Sequence, residues 1–180
     1  SEAADGAAAG AATVFGVILG TGVGGGTCVG GRLLAGPNAI AGEWGHNLYG
    51  GPRGGLAAER ACYCGRHDCV ETWLSGPGLL RTYRELLDVG PHSCGQGAPR
   101  GAASVVALAQ QGDRSARAAL DLYADQLAFA LAQVINVLDP HVIVLGGGLS
   151  NIVRLYEEVP ARWGAQVFSD EPRGTREQDL

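Results

Sequence analysis

Three cysteines stand within the eight residues Cys62-Tyr63-Cys64-Gly65-Arg66-His67-Asp68-Cys69, and Gly65 lets the chain reverse between the second and third. Thiolates this close suit a metal better than a disulfide framework, and a tetrahedral zinc site asks for one more ligand. His67 lies inside the loop, where ring geometry is cramped. His46, arriving from across the glycine-rich stretch 50–55, is the favoured fourth ligand. The set His46, Cys62, Cys64 and Cys69 leaves no position open for water, so the expected ion is a structural Zn2+. Reduced structural cysteines are the metal-free alternative. Cys28 reads as a small buried strand residue, Cys94 as a loop residue near His92, and His141 as a satisfied residue at the edge of a strand.

Two carboxylates flank this cluster, for Glu43 precedes His46 by three positions and Glu71 follows Cys69 by two. Closing the loop on a metal would bring Glu43 and Glu71 near one another, and carboxylates accept hydrogen bonds from vicinal hydroxyls. A polyol or sugar is the ligand such a cluster suits, against the plainer reading of two solvated acids. Two glycine runs add a second chemistry. Gly20-Thr21-Gly22-Val23-Gly24 opens a stretch in which backbone N–H groups can converge on an anion, with the Thr21 hydroxyl as a further donor. No Gly-Lys-Ser/Thr closes it, so it is not a Walker loop. Gly146, Gly147 and Gly148 follow a short apolar run, at the carboxyl end of a strand where open α/β sheets gather ligands. Two such loops point to a nucleotide more strongly than either alone.

The elements that must position these groups are legible in part. Residues 13–19 form a β-branched, apolar run of strand length, and 27–34 has strand character again, so the pair is expected as a hairpin around the glycines. Gly36-Pro37-Asn38 breaks the pattern, and residues 39–61 lack periodicity, with 50–55 expected as a mobile loop. Residues 70–74 begin a helical turn, and Ser75 with Pro77 is a cap and first-turn pair for a helix to about Leu87. Residues 89–101 are expected as an exposed connection. Leu120, Tyr123, Leu127, Leu131, Val134, Ile135 and Leu138 recur at helical spacing, which predicts a one-faced helix over 115–138 ended by Asp139-Pro140. Residues 142–145 read as a strand buried on both faces, followed by a helix over 150–158. Residues 1–12 and 169–180 are expected to be flexible, and there is no internal repeat.

Composition bounds the function. The chain has 180 residues, 46% of them hydrophobic and 17% charged, which supports a globular core. Its 30 glycines lack the three-residue collagen period and so belong in turns and loops. Thirteen basic against eighteen acidic residues give a net charge of −5, which disfavours nucleic acid or an anionic membrane as partner. No apolar run reaches the roughly 18 to 20 residues of a membrane span, and the opening lacks a basic secretory start, so the expected location is the cytoplasm. Methionine is absent even at position 1, which suggests a piece of something longer.

The segments 19–26, Gly42-Glu43-Trp44-Gly45-His46, 62–71 and 142–148 together resemble the ROK family of repressors, open reading frames and sugar kinases, over about residues 13–165. The string CYCGRHDCVETWLSG looks most like the bacterial fructokinase and manno(fructo)kinase branch. The resemblance implies an α/β, actin-like (ribonuclease H-like) ATPase lobe, with a mixed sheet, flanking helices and a zinc-binding loop. It implies that the whole chain is the single carboxyl-terminal lobe of a two-lobe kinase passing the γ-phosphoryl group of ATP, with Mg2+, to a hexose. By position it implies His46, Cys62, Cys64 and Cys69 as zinc ligands and Glu43, His46 and Glu71 as sugar ligands, His46 serving both through its two ring nitrogens. Gly20, Thr21, Gly22 and Gly24 would then face the γ-phosphate, and Gly146, Gly147 and Gly148 the adenosine. The amino-terminal lobe and the Asn-Asp pair carrying the general base lie outside this sequence, so the chain alone is expected to be inactive, with no catalytic residue of its own. Members commonly pair, which implies a homodimer. The sugar-sensing lobe of a repressor, or a zinc-stabilised sugar-binding and dimerisation module, are the alternatives.

Overall fold

The computed structural model describes residues 3, 5–56, 59–87 and 99–169. Its sheet starts with β1 (Thr13–Leu19), in which Phe15, Val17 and Leu19 alternate inward to full burial. β2 (Val23–Val29) pairs antiparallel with β1, Leu19 opposite Val23 and Thr13 opposite Val29. The short β3 (Arg32–Leu33) returns along β2. β4 (Val142–Gly146) pairs parallel with β1, which gives a mixed sheet of order β3-β2-β1-β4. The carboxyl ends of β1 and β4 therefore lie side by side, each followed by a glycine turn.

The helices pack on the inward face. α1 (Val70–Leu74) and α2 (Gly76–Leu86) meet at Ser75, whose hydroxyl accepts from Gly78 N at 3.1 Å and whose neighbour Pro77 occupies the first turn of α2. α3 (Ala102–Gln110) leads to α4 (Arg114–Leu138), capped by the Asp113 carboxylate on Ala116 N at 2.7 Å. Asp139 ends α4 in the left-handed region, with φ 45°, and Pro140 prevents continuation. By length and composition α4 alone among the described helices could cross a membrane, yet Leu120, Tyr123, Leu127 and Leu131 are enclosed by the protein. Each such leucine contributes about 1.5–3 kcal/mol by leaving water. α5 (Leu155–Trp163) closes against α4, where Arg154 reaches Asp121 and Glu158, and Arg162 bridges Asp125 at 2.8 Å.

Several elements depart from the sequence expectation. The second strand begins at Val23, not residue 27, because glycines at 24–26 are held in the ladder opposite Ile18, Val17 and Gly16. β4 is half-exposed, not buried on both faces, since it forms one edge of the described sheet. The helix expected over 150–158 is a 3-10 turn, Gly148–Asn151, followed by the later α5. The sequence reading missed α3, an alanine-rich helix with only Val105 and Ala109 fully inward. The 50–55 loop, expected to be mobile, is fastened at Pro52, whose carbonyl accepts from Tyr49 Oη at 3.0 Å and Gln126 Nε2 at 3.4 Å. Residues 5–10, expected as part of a frayed end, form turns that bury Ala8. The expected exposed connection lies largely, and the charged end almost wholly, outside the described residues, as do Cys94 and His92.

Candidate functional site

The Gly42-Glu43-Trp44-Gly45-His46 segment lies directly on β2. Trp44 Nε1 donates to Gly24 O at 2.8 Å and the Trp44 ring meets Phe15 edge to face at 5.9 Å, so the turn is pinned to the sheet. Residue 45 has to be glycine, since a Cβ there would fall inside the Val23 carbonyl. With Trp44 buried and Gly45 against the strand, the short 3-10 turn Trp44–His46 delivers Glu43 and His46 to the open side.

The cysteine loop is a small hairpin. Ala61 pairs with His67, Cys62 N donates to Arg66 O at 2.8 Å, and Gly65 N returns to Cys62 O at 3.0 Å. Its base is held by Asp68, whose carboxylate accepts from Arg60 N at 2.9 Å, Glu59 N at 3.2 Å and Arg53 Nη2 at 3.1 Å. Burial alone would raise the Asp68 pKa, but these donors and the Arg53 charge outweigh it and hold the carboxyl below its ordinary range. The hairpin is joined to the rest through Tyr49 N on Asp68 O at 2.7 Å and Val70 N on Asn47 O at 2.9 Å. Cys69 then ends the loop as the residue preceding α1, which carries Glu71.

The ligand atoms of His46, Cys62, Cys64 and Cys69 all lie within 4.8 Å of one another. Cys64 Sγ is 3.6 Å from Cys69 Sγ, and Cys62 Sγ is 3.6 Å from His46 Nδ1. Around a tetrahedral zinc with bonds of about 2.3 Å to sulfur and about 2.0 Å to nitrogen, such edges should measure roughly 3.5 to 3.8 Å. The donor set suits zinc, and these two edges have its spacing. His67 is exposed, outside the cluster. The Arg66 guanidinium beside Cys64 holds its thiol down to about 6, while burial pushes Cys69 up to about 12.

Above the cluster opens a cleft of about 450 Å³. Glu43, His46 and Glu71 line it together with Tyr63 and the turn after β1, so the residues singled out for a sugar converge. The turn is itself held by Glu71, whose Oε2 accepts from Val23 N at 2.9 Å. Gly20 N donates to Gly22 O at 3.0 Å, which leaves Thr21 and Gly22 as the amides of this turn able to meet a ligand. Gly24, expected in the anion loop, lines the cleft too, but from within the β2 ladder and with its carbonyl taken by Trp44. Gly147 lies against the end of β1 with φ 85°, where a Cβ would stand 2.5 Å from Leu19 O. Gly148 faces open space. The structure thus brings both glycine turns to one end of the sheet, beside the cleft.

Sequence reasoning missed three residues here. Tyr63 sits between two metal-ligand candidates and lines the cleft, a position that could have drawn notice. Arg60 and Arg53 look like surface charges in sequence, yet Arg60 is fully buried under α1 and α2, its guanidinium 3.6 Å from the Trp73 ring centre.

The ROK family model matches residues 1–177. An N-acetyl-D-glucosamine kinase from Pasteurella multocida (strain Pm70) is 39% identical over 164 residues, which cover 87% of this chain and 50% of that protein. Among solved structures, a ROK family glucokinase from Streptomyces griseus in complex with glucose and AMPPNP has a TM-score of 0.78 at 28% identity, covering 96% of this chain and 56% of that one. A ROK family transcriptional regulator, a homolog of the E. coli MLC protein, has a TM-score of 0.74 at 26% identity, covering 93% and 41%. The chain spans about half the length of the curated relatives it matches.

Proposed function

Because this chain belongs to the ROK family, we propose that it is the hexose-recognising, carboxyl-terminal lobe of an ATP-dependent sugar kinase. The observation that carries the reading is the convergence of Glu43, His46 and Glu71 on one cleft beside a Cys3His cluster and the turn after β1. The two carboxylates would accept hydrogen bonds from neighbouring sugar hydroxyls, and His46 Nε2 would meet a third. Zinc, bound by His46, Cys62, Cys64 and Cys69, would neutralise thiolate charge and fix the ring of His46, with no part in bond making. Thr21 and Gly22 would take phosphoryl oxygens, and Gly147 and Gly148, at the adjoining strand end, would lie along the adenosine of ATP carried with Mg2+.

Phosphoryl transfer depends on positioning an acceptor hydroxyl against the γ-phosphate, with a base to take its proton. In this reading that base is supplied from outside the 180 residues, and the lobe alone binds without turning over. The sugar we favour is an aldohexose such as N-acetylglucosamine or glucose. The relatives that support the reading carry those names, and the fructose expected from sequence has no such support. Calorimetric titration of the zinc-loaded chain with either sugar tests the proposal. Saturable binding is expected, weakened at least tenfold in Glu71→Gln, and absence of binding to both sugars refutes it. The regulator's likeness favours a second reading, a sugar-sensing lobe of a repressor, which shares the cleft but predicts no nucleotide binding by the chain.

A further inference from the structure

His46 has both ring nitrogens engaged. Nδ1 faces Cys62 Sγ at 3.6 Å, and Nε2 lies 2.9 Å from the Tyr63 hydroxyl, with the two rings edge to face at 5.1 Å and 81°. A histidine that gives Nδ1 to a metal keeps its proton on Nε2, so Nε2 donates and the tyrosine oxygen accepts. That oxygen sits in the same cleft as Glu43 and Glu71. It therefore occupies the place where a substrate hydroxyl would meet the histidine.

Two features decide what such a side chain can do. The Tyr63 residue is 83% exposed, so the ring has room to swing about χ1. Its backbone is anchored, because Cys62 and Cys64 on either side both belong to the metal-ligand set and Cys62 N is bonded within the hairpin. A mobile ring on a fixed base can leave the histidine without disturbing the loop.

We propose that Tyr63 is a displaceable stand-in for a hexose hydroxyl: its phenol holds His46 Nε2 while the cleft is empty, and the sugar must evict it to bind. This rests on the hexose reading of the cleft given above. A sugar that offers a hydroxyl to Nε2 replaces one hydrogen bond with another and seats correctly. A sugar without that hydroxyl must evict the tyrosine as well but leaves the Nε2 proton unpaired, so it is disfavoured. Tyr63 thus lowers the affinity of every occupant by the same factor, while the Nε2 proton it leaves behind sets the requirement for one hydroxyl.

The test compares the wild-type chain with Tyr63→Phe, which keeps the ring and removes the acceptor. Both are loaded with Co2+, whose absorption bands report on His46, and titrated with N-acetylglucosamine and glucose. Tyr63→Phe should bind about fivefold more tightly, the worth of one neutral hydrogen bond no longer broken. The same gain should appear for the monodeoxy hexose that lacks the hydroxyl facing His46, because that ligand must evict the phenol too. Long-range proton–nitrogen spectra of the zinc-loaded, sugar-free chains give a readout independent of the sugar. The His46 Nε2 proton should be protected from exchange in wild type and exchange fast in Tyr63→Phe. Equal or weaker sugar binding by Tyr63→Phe, or an unchanged Nε2 proton, overturns the proposal and leaves the hexose site standing. Failure of both chains to bind either sugar overturns the site reading and the proposal with it.

Discussion

Replacing Arg60 by methionine should destabilise the chain by about 3 kcal/mol, and the structure shows where that figure comes from. The side chain is fully buried beneath α1 and α2. Nη1 donates to Thr72 O at 3.0 Å and Gly78 O at 3.4 Å, and Nη2 to Thr82 Oγ1 at 3.0 Å and Glu85 Oε2 at 2.6 Å. Burial lowers its pKa from the ordinary arginine value, partly offset by the hydrogen bond and charge of Glu85. Removing one partner of a buried pair costs about 3–5 kcal/mol, chiefly through the groups left behind. Glu85 keeps Arg81 at 2.7 Å and is 24% exposed, so its charge is not stranded and the lower end applies. Thr72 O has no such refuge. Its place near the end of α1 leaves it dependent on the guanidinium, because Gly76 N, four residues on, donates to Gly20 O instead. Methionine retains bulk and a sulfur–aromatic contact with Trp73, so a cavity is not the cause. Urea unfolding followed by tryptophan fluorescence should show the midpoint falling by about 1.5 M for a slope near 2 kcal/mol/M. A loss under about 1 kcal/mol would mean that relieved desolvation cancels the lost bonds, and the argument for Arg60 as the strut between hairpin and helices would fail.

Other outcomes follow from the same contacts. Elemental analysis of chain purified without chelator should return one zinc per molecule, falling well below one in Cys62→Ser, and stripping the metal should lower the melting temperature by several degrees. Gly45→Ala forces a Cβ into the Val23 carbonyl, so it should cost more than about 3 kcal/mol and lose zinc together with structure, as read by circular dichroism and metal content. Tyr123→Phe removes a buried hydroxyl that donates to Leu74 O at 2.8 Å, and should cost about 1–2 kcal/mol in urea without changing metal content.

What could be read from sequence was what local chemistry dictates. The first strand's bounds, the Ser75 cap, and the long helix with its Asp139-Pro140 stop follow from periodicity and terminus chemistry, which act over a few residues. The gathering of His46 with the three thiols, and the placing of Glu43 and Glu71 on one cleft, were legible because three thiols within eight residues can be satisfied in few ways. What stayed hidden depends on distant partners. Gly24 looks like loop glycine until the Ile18 pairing and the Trp44 indole claim its backbone. Pro52 looks like part of a mobile loop until Gln126, far along the chain, reaches its carbonyl. Arg60 carries no local signal of burial, since a buried arginine is recognisable only through the acceptors around it.

These long-range contacts give the cleft its coherence. Glu71 is one residue with two tasks: its Oε2 holds Val23 N at the start of β2, and it lines the space beside His46. Any ligand hydroxyl that draws on this carboxylate also draws on the bond that shapes the turn Gly20-Thr21-Gly22. Occupancy of the cleft by a hydroxylic ligand would therefore be coupled to the geometry of the turn through a single side chain, with the coupling set by how one carboxylate divides its two oxygens. Glu71→Gln retains an oxygen able to accept from Val23 N but loses the charge, so it should preserve the fold while weakening hydroxyl recognition. Glu71→Ala should loosen the turn as well, and the amides of residues 20–23 should exchange with solvent faster in alanine than in glutamine. Equal exchange in the two variants would mean that the Val23 bond contributes nothing to the turn, and the coupling would be lost with it.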